Sequence, residues 1–333
     1  MAREIAEIPA LAERLLARDD AIAAIAKRIG DANPRFAVLC ARGSSGHVTV
    51  FMRYLLEARL GLLVSAAAPS VVTAYKKRPE MRDALFVVVS QSGRSPDLVM
   101  ATRVARECGA LTLAIVNDED SPAAKAADLV LPINAGPEKA VAATKTVALS
   151  MIAGTALVGA LSQDDAELAA ALRRLPRRLA DALSCDWSDW SNSLIDAPAA
   201  FVAARGYGFG TAREVALKLT ETLRLPALGY SAAELRHGPR AAISPSTPVL
   251  LLRQNDEAAT AVDELARDLQ QAGDRVFLAG GPQSSLPWTG DDHPVCDPIV
   301  MLVPAYRAIE MAARKLGFDP DNPPHLNKVT QTL

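Results

Sequence analysis

Short apolar runs alternate with amphipathic segments along the first half of the chain. The runs are too short for buried helices, and several are rich in β-branched residues. They predict strands at 36–40, 62–65, 85–90, 111–117 and 129–133. The segments between them predict helices at 46–59, 69–77, 96–108 and 121–127, followed by an Ala-rich helix over 138–161. Strands and helices that take turns in this way favour a doubly wound α/β fold, in which a parallel sheet is covered on both faces.

The same layout begins again after residue 197. This half predicts strands at 200–204, 227–230, 249–253, 276–279 and 299–303, and helices at 209–223, 232–238, 257–272 and 305–316. The first strand of each half leads into Ala-Arg-Gly, at 41–43 and at 204–206, so we interpret the halves as duplicates.

The pattern therefore predicts an α/β protein with two tandem doubly wound parallel-sheet domains. The first domain covers 35–163 and the second covers 198–333, including a C-terminal tail. Residues 1–34 form an N-terminal helical segment, and 164–197 form a helical connector. Ligands of such sheets bind at the carboxyl ends of the strands, where the chain order reverses. The loops on that edge are 42–47, 90–95, 134–140 and 205–210.

The composition is that of an ordinary globular protein, with 50% hydrophobic and 22% charged residues in 333. A net charge of −2 provides no basic field for nucleic acid, so we expect no such partner. No apolar run approaches the roughly 20 residues of a membrane span, and the N-terminus lacks the apolar core of a signal peptide. The four cysteines are scattered and form no CxxC pair, which predicts free thiols, no metal site and a cytoplasmic location.

Two junctions between a strand and a helix carry serines. One is a Ser-Gln-Ser-Gly loop at 90–93, which follows a buried strand and precedes a helix that starts at Pro96. Such a loop directs backbone N–H groups at one point, where the helix dipole favours an anion. The serine hydroxyls could bind phosphate, or Ser95 could merely cap the helix. The Gly/Ser-rich loop at 42–47 leaves the same two alternatives open.

Three acidic and basic residues share one face of a predicted helix. Glu214, Lys218 and Glu221 are spaced i, i+4 and i+7, which places them on the same side. They are either a catalytic set or a solvent-exposed Glu–Lys pair.

His237 and the tail leave similar alternatives. His237 precedes a Gly-Pro break and could exchange protons near neutral pH, or it could be structural. The tail at 325–330 follows a Pro-rich turn and could fray, or Leu326 and Val329 could hold it against a core so that Lys328 points inward.

Taken in order, these motifs resemble the sugar isomerase (SIS) domain, a flavodoxin-like fold, present twice. The resemblance is closest to the isomerase half of glucosamine-6-phosphate synthase and to the SIS-type glucosamine-6-phosphate deaminases, and it runs from about residue 35 to the end. It is carried by Ser-Gln-Ser-Gly at 90–93, Asn-Ala-Gly-Pro-Glu at 134–138 with Ala-Thr-Lys at 143–145, Ala-Leu-Lys-Leu-Thr-Glu at 216–221, Glu-Leu-Arg-His-Gly-Pro at 234–239 and the tail around Lys328.

The resemblance implies a set of residues that bind the sugar phosphate substrate. The phosphate would be held by side chains of the two serine-containing loops, and two further residues would line the sugar. These residues are Ser45, Ser90, Gln91, Ser92 and Ser95 for the phosphate, with Val141 and Asn327 beside the sugar. The sequence departs from the family at 44–46, where Ser-Ser-Gly replaces the more usual Thr-Ser-Tyr.

The resemblance also implies the catalytic residues. Glu221 would be the base that moves a proton between C1 and C2, and Lys218 would lie near the reacting carbons. His237 would open the sugar ring from a neighbouring subunit, which predicts a homodimer with a shared active site. Lys328 matches the tail lysine that can form a Schiff base with the ketose in the synthases. Such chemistry needs a base and a ring-opening group but no metal or other cofactor.

The N-terminus suggests the direction of the reaction. The synthases carry an N-terminal glutamine-hydrolysing domain with a cysteine just after the initiator Met, whereas this chain has Ala2 and begins its first strand by residue 36. We therefore expect glucosamine 6-phosphate and water to give fructose 6-phosphate and ammonia.

Other functions remain open at this point. A galactosamine-6-phosphate deaminase, a deglycase or a plain phosphosugar isomerase would keep the same site and change the substrate. A non-catalytic sugar-phosphate sensor is a further alternative. Sensors usually carry a basic helix-turn-helix before the SIS domain, and the presence of Glu221, His237 and Lys328 favours an enzyme.

Overall fold

The computed structural model describes residues 1–162 and 165–328. In this part of the chain the strands are β1 (Phe36–Cys40), β2 (Leu63–Ala66), β3 (Ala84–Ser90), β4 (Leu111–Val116), β5 (Leu129–Pro132), β6 (Ala200–Ala204), β7 (Ala227–Ser231), β8 (Val249–Leu252) and β9 (Val276–Ala279). The α-helices are α1 (Ala2–Leu16), α2 (Asp19–Ala32), α3 (Gly43–Leu60), α4 (Pro69–Thr73), α5 (Pro96–Glu107), α6 (Pro122–Ala126), α7 (Lys145–Leu161), α8 (Ala166–Ala182), α9 (Ser188–Ser193), α10 (Gly208–Leu223), α11 (Ala232–Leu235), α12 (Ala259–Gln271) and α13 (Asp297–Lys315), and a 3₁₀ helix covers Gly238–Ala242.

The chain forms two compact units. The β1–β5 unit consists of Ala10–Glu138, Lys145–Ala169 and the tail from Asn327. The β6–β9 unit consists of Met1–Pro9, Lys139–Thr144 and Ala170–Leu326. Residues 163 and 164, where the predicted first domain ends and the connector begins, lie outside the described residues.

The sheet of the β1–β5 unit is parallel and has the strand order β2-β1-β3-β4-β5. Every residue of β3 is buried, which explains why the sequence of this strand is a continuous apolar run. The chain moves outward from β1 to β2 and then returns to the other side of β1 as β3. The reversal places the switch point of the sheet between the carboxyl ends of β1 and β3.

The sheet of the β6–β9 unit repeats this parallel arrangement with the order β7-β6-β8-β9. Its core packs strand side chains such as Phe201 and Leu251 against α11 and α12, through residues such as Leu235 and Leu265. The two tandem doubly wound sheets predicted from the apolar pattern are therefore confirmed.

Two predicted elements are wrong. Residues 299–303 were expected to form a fifth strand of the second sheet but lie inside α13. All five side chains are buried, and a short apolar run of this kind does not distinguish a strand from a buried helix. Pro304 lies inside α13, between the residues predicted as a strand and those predicted as a helix at 305–316. The Ala-rich helix begins at Lys145 and not at 138, because 138–144 forms a loop.

A buried ion pair in the β6–β9 unit gives stability a pH dependence. Arg178 Nη1 donates to Asp297 Oδ1 at 2.6 Å, and the Asp297 side chain is fully buried. Burial raises the pKa of Asp297 from 3.8 to about 6, although the Arg178 guanidinium acts in the opposite direction. The unfolded chain therefore loses this proton at lower pH than the folded chain does, so the free energy of unfolding falls as pH rises from about 4 to 6, by roughly 3 kcal/mol for this group.

We expect Asp297→Asn to flatten the pH dependence of unfolding between about pH 4 and 6. Trp187, Trp190 and Trp288 all lie in the β6–β9 unit, so tryptophan fluorescence during urea unfolding follows that unit. If the free energy of unfolding changes with pH in the same way in the variant and the wild type, Asp297 is not the group responsible.

The four cysteines are free thiols, as the sequence analysis predicted. Cys40 is buried at the end of β1, where burial raises the pKa of its thiol to about 12. Among the described residues, no helix combines the length and the apolar character that crossing a membrane requires.

Candidate functional site

The loop at residues 90–95, which we call the serine loop, lies at the switch point of the first sheet. Ser90 ends β3, and its Oγ accepts a hydrogen bond from the Gly93 backbone N–H at 3.1 Å. The Ser92 Oγ accepts one from the Arg94 N–H at 3.2 Å. The serines thus hold the loop in a tight turn directly before α5. Gln91 and Ser92 are half-buried, so the loop is reachable from solvent.

Ser95 is the N-cap residue of α5, but its side chain does not do the capping. Within the described part of the chain, the Ser95 hydroxyl makes no capping hydrogen bond. The purely capping interpretation of this hydroxyl is therefore wrong. The buried Asp97 carboxylate instead accepts the Leu98 N–H at 2.9 Å.

Arg42 links the two serine-containing loops, a role that the sequence analysis missed. Its Nε donates to Asp97 Oδ2 at 2.9 Å, and its Nη2 lies 2.8 Å from the same oxygen. Arg42 follows β1 and Asp97 lies in the first turn of α5, so this pair holds the ends of β1 and β3 together. Ser45 lies in the first turn of α3 and is half-buried on the same edge of the sheet.

Gly93 has a conformation that only glycine adopts easily. Its φ is +61°, and a Cβ at this position would lie 2.1 Å from Ser121 Oγ. The serine loop therefore keeps its shape partly because residue 93 has no side chain.

We expect Gly93→Ala to weaken the binding of a sugar phosphate by about tenfold, since strain of ~1–2 kcal/mol at this φ would displace the loop. Titration calorimetry with fructose 6-phosphate measures this effect. Gly61→Ala is a matched control, because Gly61 has a φ of +63° at the end of α3 with open space around it. Equal affinities for both variants would contradict a binding role for the serine loop.

The tail lysine is held by a buried carboxylate of the β1–β5 unit. Lys328 Nζ donates to Glu138 Oε2 at 2.9 Å, and the Glu138 side chain is fully buried. The same carboxylate accepts the Thr146 N–H at 3.1 Å and the Thr146 hydroxyl at 2.8 Å, at the start of α7. Lys328 is therefore directed inward, whereas the neighbouring Leu326 and Asn327 are exposed, so Leu326 does not hold the tail against a core. Val329 and Thr330 lie outside the described residues.

The Glu–Lys–Glu face of α10 is buried, so the solvent-exposed interpretation of it is wrong. The side chains of Glu214 and Lys218 are both completely inaccessible. Lys218 Nζ lies 3.5 Å from Glu214 Oε1 and donates a short hydrogen bond to Glu221 Oε2. Tyr306 of α13, which the sequence analysis did not identify, donates its hydroxyl to Glu214 Oε1 at 3.1 Å. We call these four residues the α10 cluster.

Glu221 is the member of the α10 cluster that solvent can reach. Its side chain is 20% exposed, whereas Lys218 behind it is fully buried. A carboxylate in this setting can accept a proton from a bound molecule, while the ammonium group of Lys218 holds it in place. The geometry thus provides a positioned acid–base group at the end of α10.

His237 and Val141 occupy more open positions in the β6–β9 unit. His237 is exposed at the end of α11, and its backbone N–H donates to the Glu234 carbonyl at 3.1 Å. Val141 is half-buried, and its N–H donates to the Asp321 carbonyl at 2.9 Å.

Comparison with known proteins gives the family. The SIS domain family matches residues 32–160 and 193–291, which together make up more than half of the chain. The chain therefore belongs to the SIS domain family, as the motifs indicated.

Individual relatives agree with this assignment. A glutamine–fructose-6-phosphate aminotransferase [isomerizing] of Methanothermobacter thermautotrophicus is 32% identical over 98% of this chain, which spans 56% of the length of that protein. The crystal structure of a candidate phosphosugar isomerase from Silicibacter pomeroyi DSS-3 has a TM-score of 0.91 at 38% identity and covers 96% of this chain and 98% of its own. The C-terminal domain of glucosamine-fructose-6-phosphate aminotransferase from Francisella tularensis has a TM-score of 0.86 at 22% identity, covers 97% of this chain and 98% of its own, and shows the shared fold.

Proposed function

We propose that this protein is a phosphosugar-isomerising deaminase that converts glucosamine 6-phosphate and water into fructose 6-phosphate and ammonia. The observation that carries the proposal is the α10 cluster, in which a buried lysine holds the partly exposed Glu221 carboxylate. Burying charged groups is costly, and a fold that needed only stability would do as well with apolar residues there. A positioned carboxylate is what a proton transfer between two carbon atoms requires.

The proposed reaction begins with proton transfer by the carboxylate of Glu221. Glu221 removes the C2 proton of the open-chain amino aldose, which gives an enolamine, and returns a proton to C1, which gives the imine of fructose 6-phosphate. Water then adds to C2 and ammonia leaves. His237 is the candidate for opening the sugar ring before these steps, because it is an exposed imidazole and an imidazole can act as a general acid or base.

The serine loop is the candidate for binding the substrate phosphate. It combines half-buried polar side chains with the N-terminus of the 12-residue helix α5. Both features favour an anion over a neutral group. Lys328, held by Glu138, is the candidate for contacting the carbonyl end of the sugar.

Support for an amino sugar as the substrate comes from the relatives. The glutamine–fructose-6-phosphate aminotransferase of Methanothermobacter thermautotrophicus is 32% identical over 98% of this chain. Its name refers to fructose 6-phosphate and to the transfer of an amine. In the direction of hydrolysis, the proposed reaction needs water as its only co-substrate.

The decisive assay measures ammonia and fructose 6-phosphate released from a panel of amino sugar phosphates. We expect release from glucosamine 6-phosphate in equal amounts of the two products, and loss of both in Glu221→Gln. If ammonia is released faster from galactosamine 6-phosphate, the reaction type stays as proposed but galactosamine 6-phosphate is the preferred substrate. No release from any member of the panel would contradict the proposal and favour a sugar-phosphate sensor.

We also propose that the protein works as a homodimer in which His237 serves the neighbouring subunit. Its exposed position at the end of α11 is compatible with this role. Light scattering coupled to size-exclusion chromatography should give twice the mass of one chain at the concentrations used for the assay. A fully active monomer would contradict the shared site.

A further inference from the structure

A basic groove lies on the β1–β5 unit between α5 and α6. Its volume is about 890 Å³, and its charged lining consists of Arg94, Arg103, Arg106, Glu107, Asp120 and Lys125. A volume of this size accommodates a small metabolite. Arg103, Arg106 and Glu107 lie on one face of α5 at helical spacing. The groove therefore has one wall from α5 and another from α6.

The charges of this groove are only partly neutralised by the protein. Arg94 pairs with Asp118 at 2.9 Å and Arg106 pairs with Asp128 at 2.8 Å. Arg103 on α5 and Lys125 on α6 are exposed. Neither has an ion-pair partner among residues 1–162 and 165–328. Two cations are thus available, one on each wall.

The acidic residues of the lining do not cancel this positive charge. Glu107 is itself paired with Arg78 at 2.8 Å, outside the lining. Asp120 remains as the single carboxylate against Arg103 and Lys125. Once these pairs are counted, the groove lining keeps a small excess of positive charge, although the whole chain has a net charge of −2.

We propose that this groove binds a small molecule that carries a diphosphate or two separate phosphate groups. One phosphate would bind the guanidinium of Arg103, which can form bidentate hydrogen bonds with phosphate oxygens. The other phosphate would bind the ammonium group of Lys125. A molecule with a single phosphate would bind only one of these two cations.

The groove is distinct from the serine loop but adjoins it. Arg94 belongs to both, because its backbone N–H lies within the serine loop and the residue is also part of the groove lining. The remaining lining residues of the groove have no role in the proposed reaction. The inference therefore stands or falls independently of the deaminase activity.

Calorimetric titration of the whole protein with inorganic pyrophosphate tests the site. We expect the double variant Arg103→Gln/Lys125→Gln to bind pyrophosphate at least about tenfold more weakly, since two charge-assisted contacts are lost. Arg28→Gln/Lys77→Gln is the matched control, because both residues are exposed on the same unit and the net charge changes equally. Binding to the control and wild type should be equal and should weaken as salt is added.

A second pair of variants separates the groove from the serine loop. Ser90→Ala/Ser92→Ala removes hydroxyls of the candidate phosphate site in the serine loop, and it should leave in place the pyrophosphate binding that depends on Arg103 and Lys125. If these substitutions abolish binding while Arg103→Gln/Lys125→Gln does not, the anion binds the serine loop and the proposal is wrong. The absence of any pyrophosphate binding, or equal affinity for orthophosphate, would also overturn it.

Discussion

Glu221→Gln should lower kcat for fructose 6-phosphate formation by ~10²–10⁴-fold, the usual contribution of a positioned acid–base group. The amide has the shape of the carboxylate and can still accept a hydrogen bond from Lys218, but it cannot take the C2 proton. Because Glu221 is partly exposed and Lys218 keeps Glu214 as a second carboxylate partner, the replacement should leave the fold intact. We therefore expect kcat to fall sharply while the affinity for the substrate changes little.

The control for this prediction is Glu257→Gln, an equally conservative change at an exposed glutamate of the same unit. Steady-state kinetics and a thermal melt of both variants separate a loss of chemistry from a loss of structure. A kcat close to the wild-type value in Glu221→Gln would exclude Glu221 as the base.

Lys218→Met should destabilise the β6–β9 unit by ~3–5 kcal/mol, the usual cost of breaking a buried ion pair from one side. The substitution removes the ammonium group between two carboxylates, and Glu214 is then left as a fully buried charge. Urea unfolding followed by tryptophan fluorescence measures the loss, since all three tryptophans belong to this unit.

The double variant Glu214→Gln/Lys218→Met should recover part of that loss, because the amide removes the uncompensated charge. Lys315→Met is the matched control at an exposed lysine of α13 and should leave stability nearly unchanged. If Lys218→Met were no more damaging than Lys315→Met, the α10 cluster would not be the tightly coupled group that the structure shows.

The apolar pattern was sufficient to predict most of the fold because parallel strands buried on both faces are short continuous apolar runs. β3 illustrates this, since its buried residues end abruptly at the serine loop. The pattern failed at 299–303 because residues 298–305 of α13 are all apolar and buried. Periodicity carries no information when all faces of a helix are buried.

The candidate site could be predicted only where local spacing determines geometry. The i, i+4, i+7 spacing placed Glu214, Lys218 and Glu221 on one face of a helix, but it could not show whether that face meets solvent. Burial of the α10 cluster depends on α13, whose Tyr306 lies 92 residues away from Glu214. The Arg42–Asp97 pair was missed for the same reason, because it joins a residue after β1 to the first turn of α5, 55 residues away.

The most direct measurement is conversion of glucosamine 6-phosphate in D₂O, with the products analysed by mass spectrometry and NMR. If Glu221 moves a proton between the two carbons and exchanges it with solvent on the way, fructose 6-phosphate should carry deuterium at C1, with one ammonia released per ketose. Glu221→Gln should form neither product. Failure of the wild-type protein to form fructose 6-phosphate, or product without any deuterium at C1 after full exchange of the protein with D₂O, would contradict a solvent-exchanging carboxylate base.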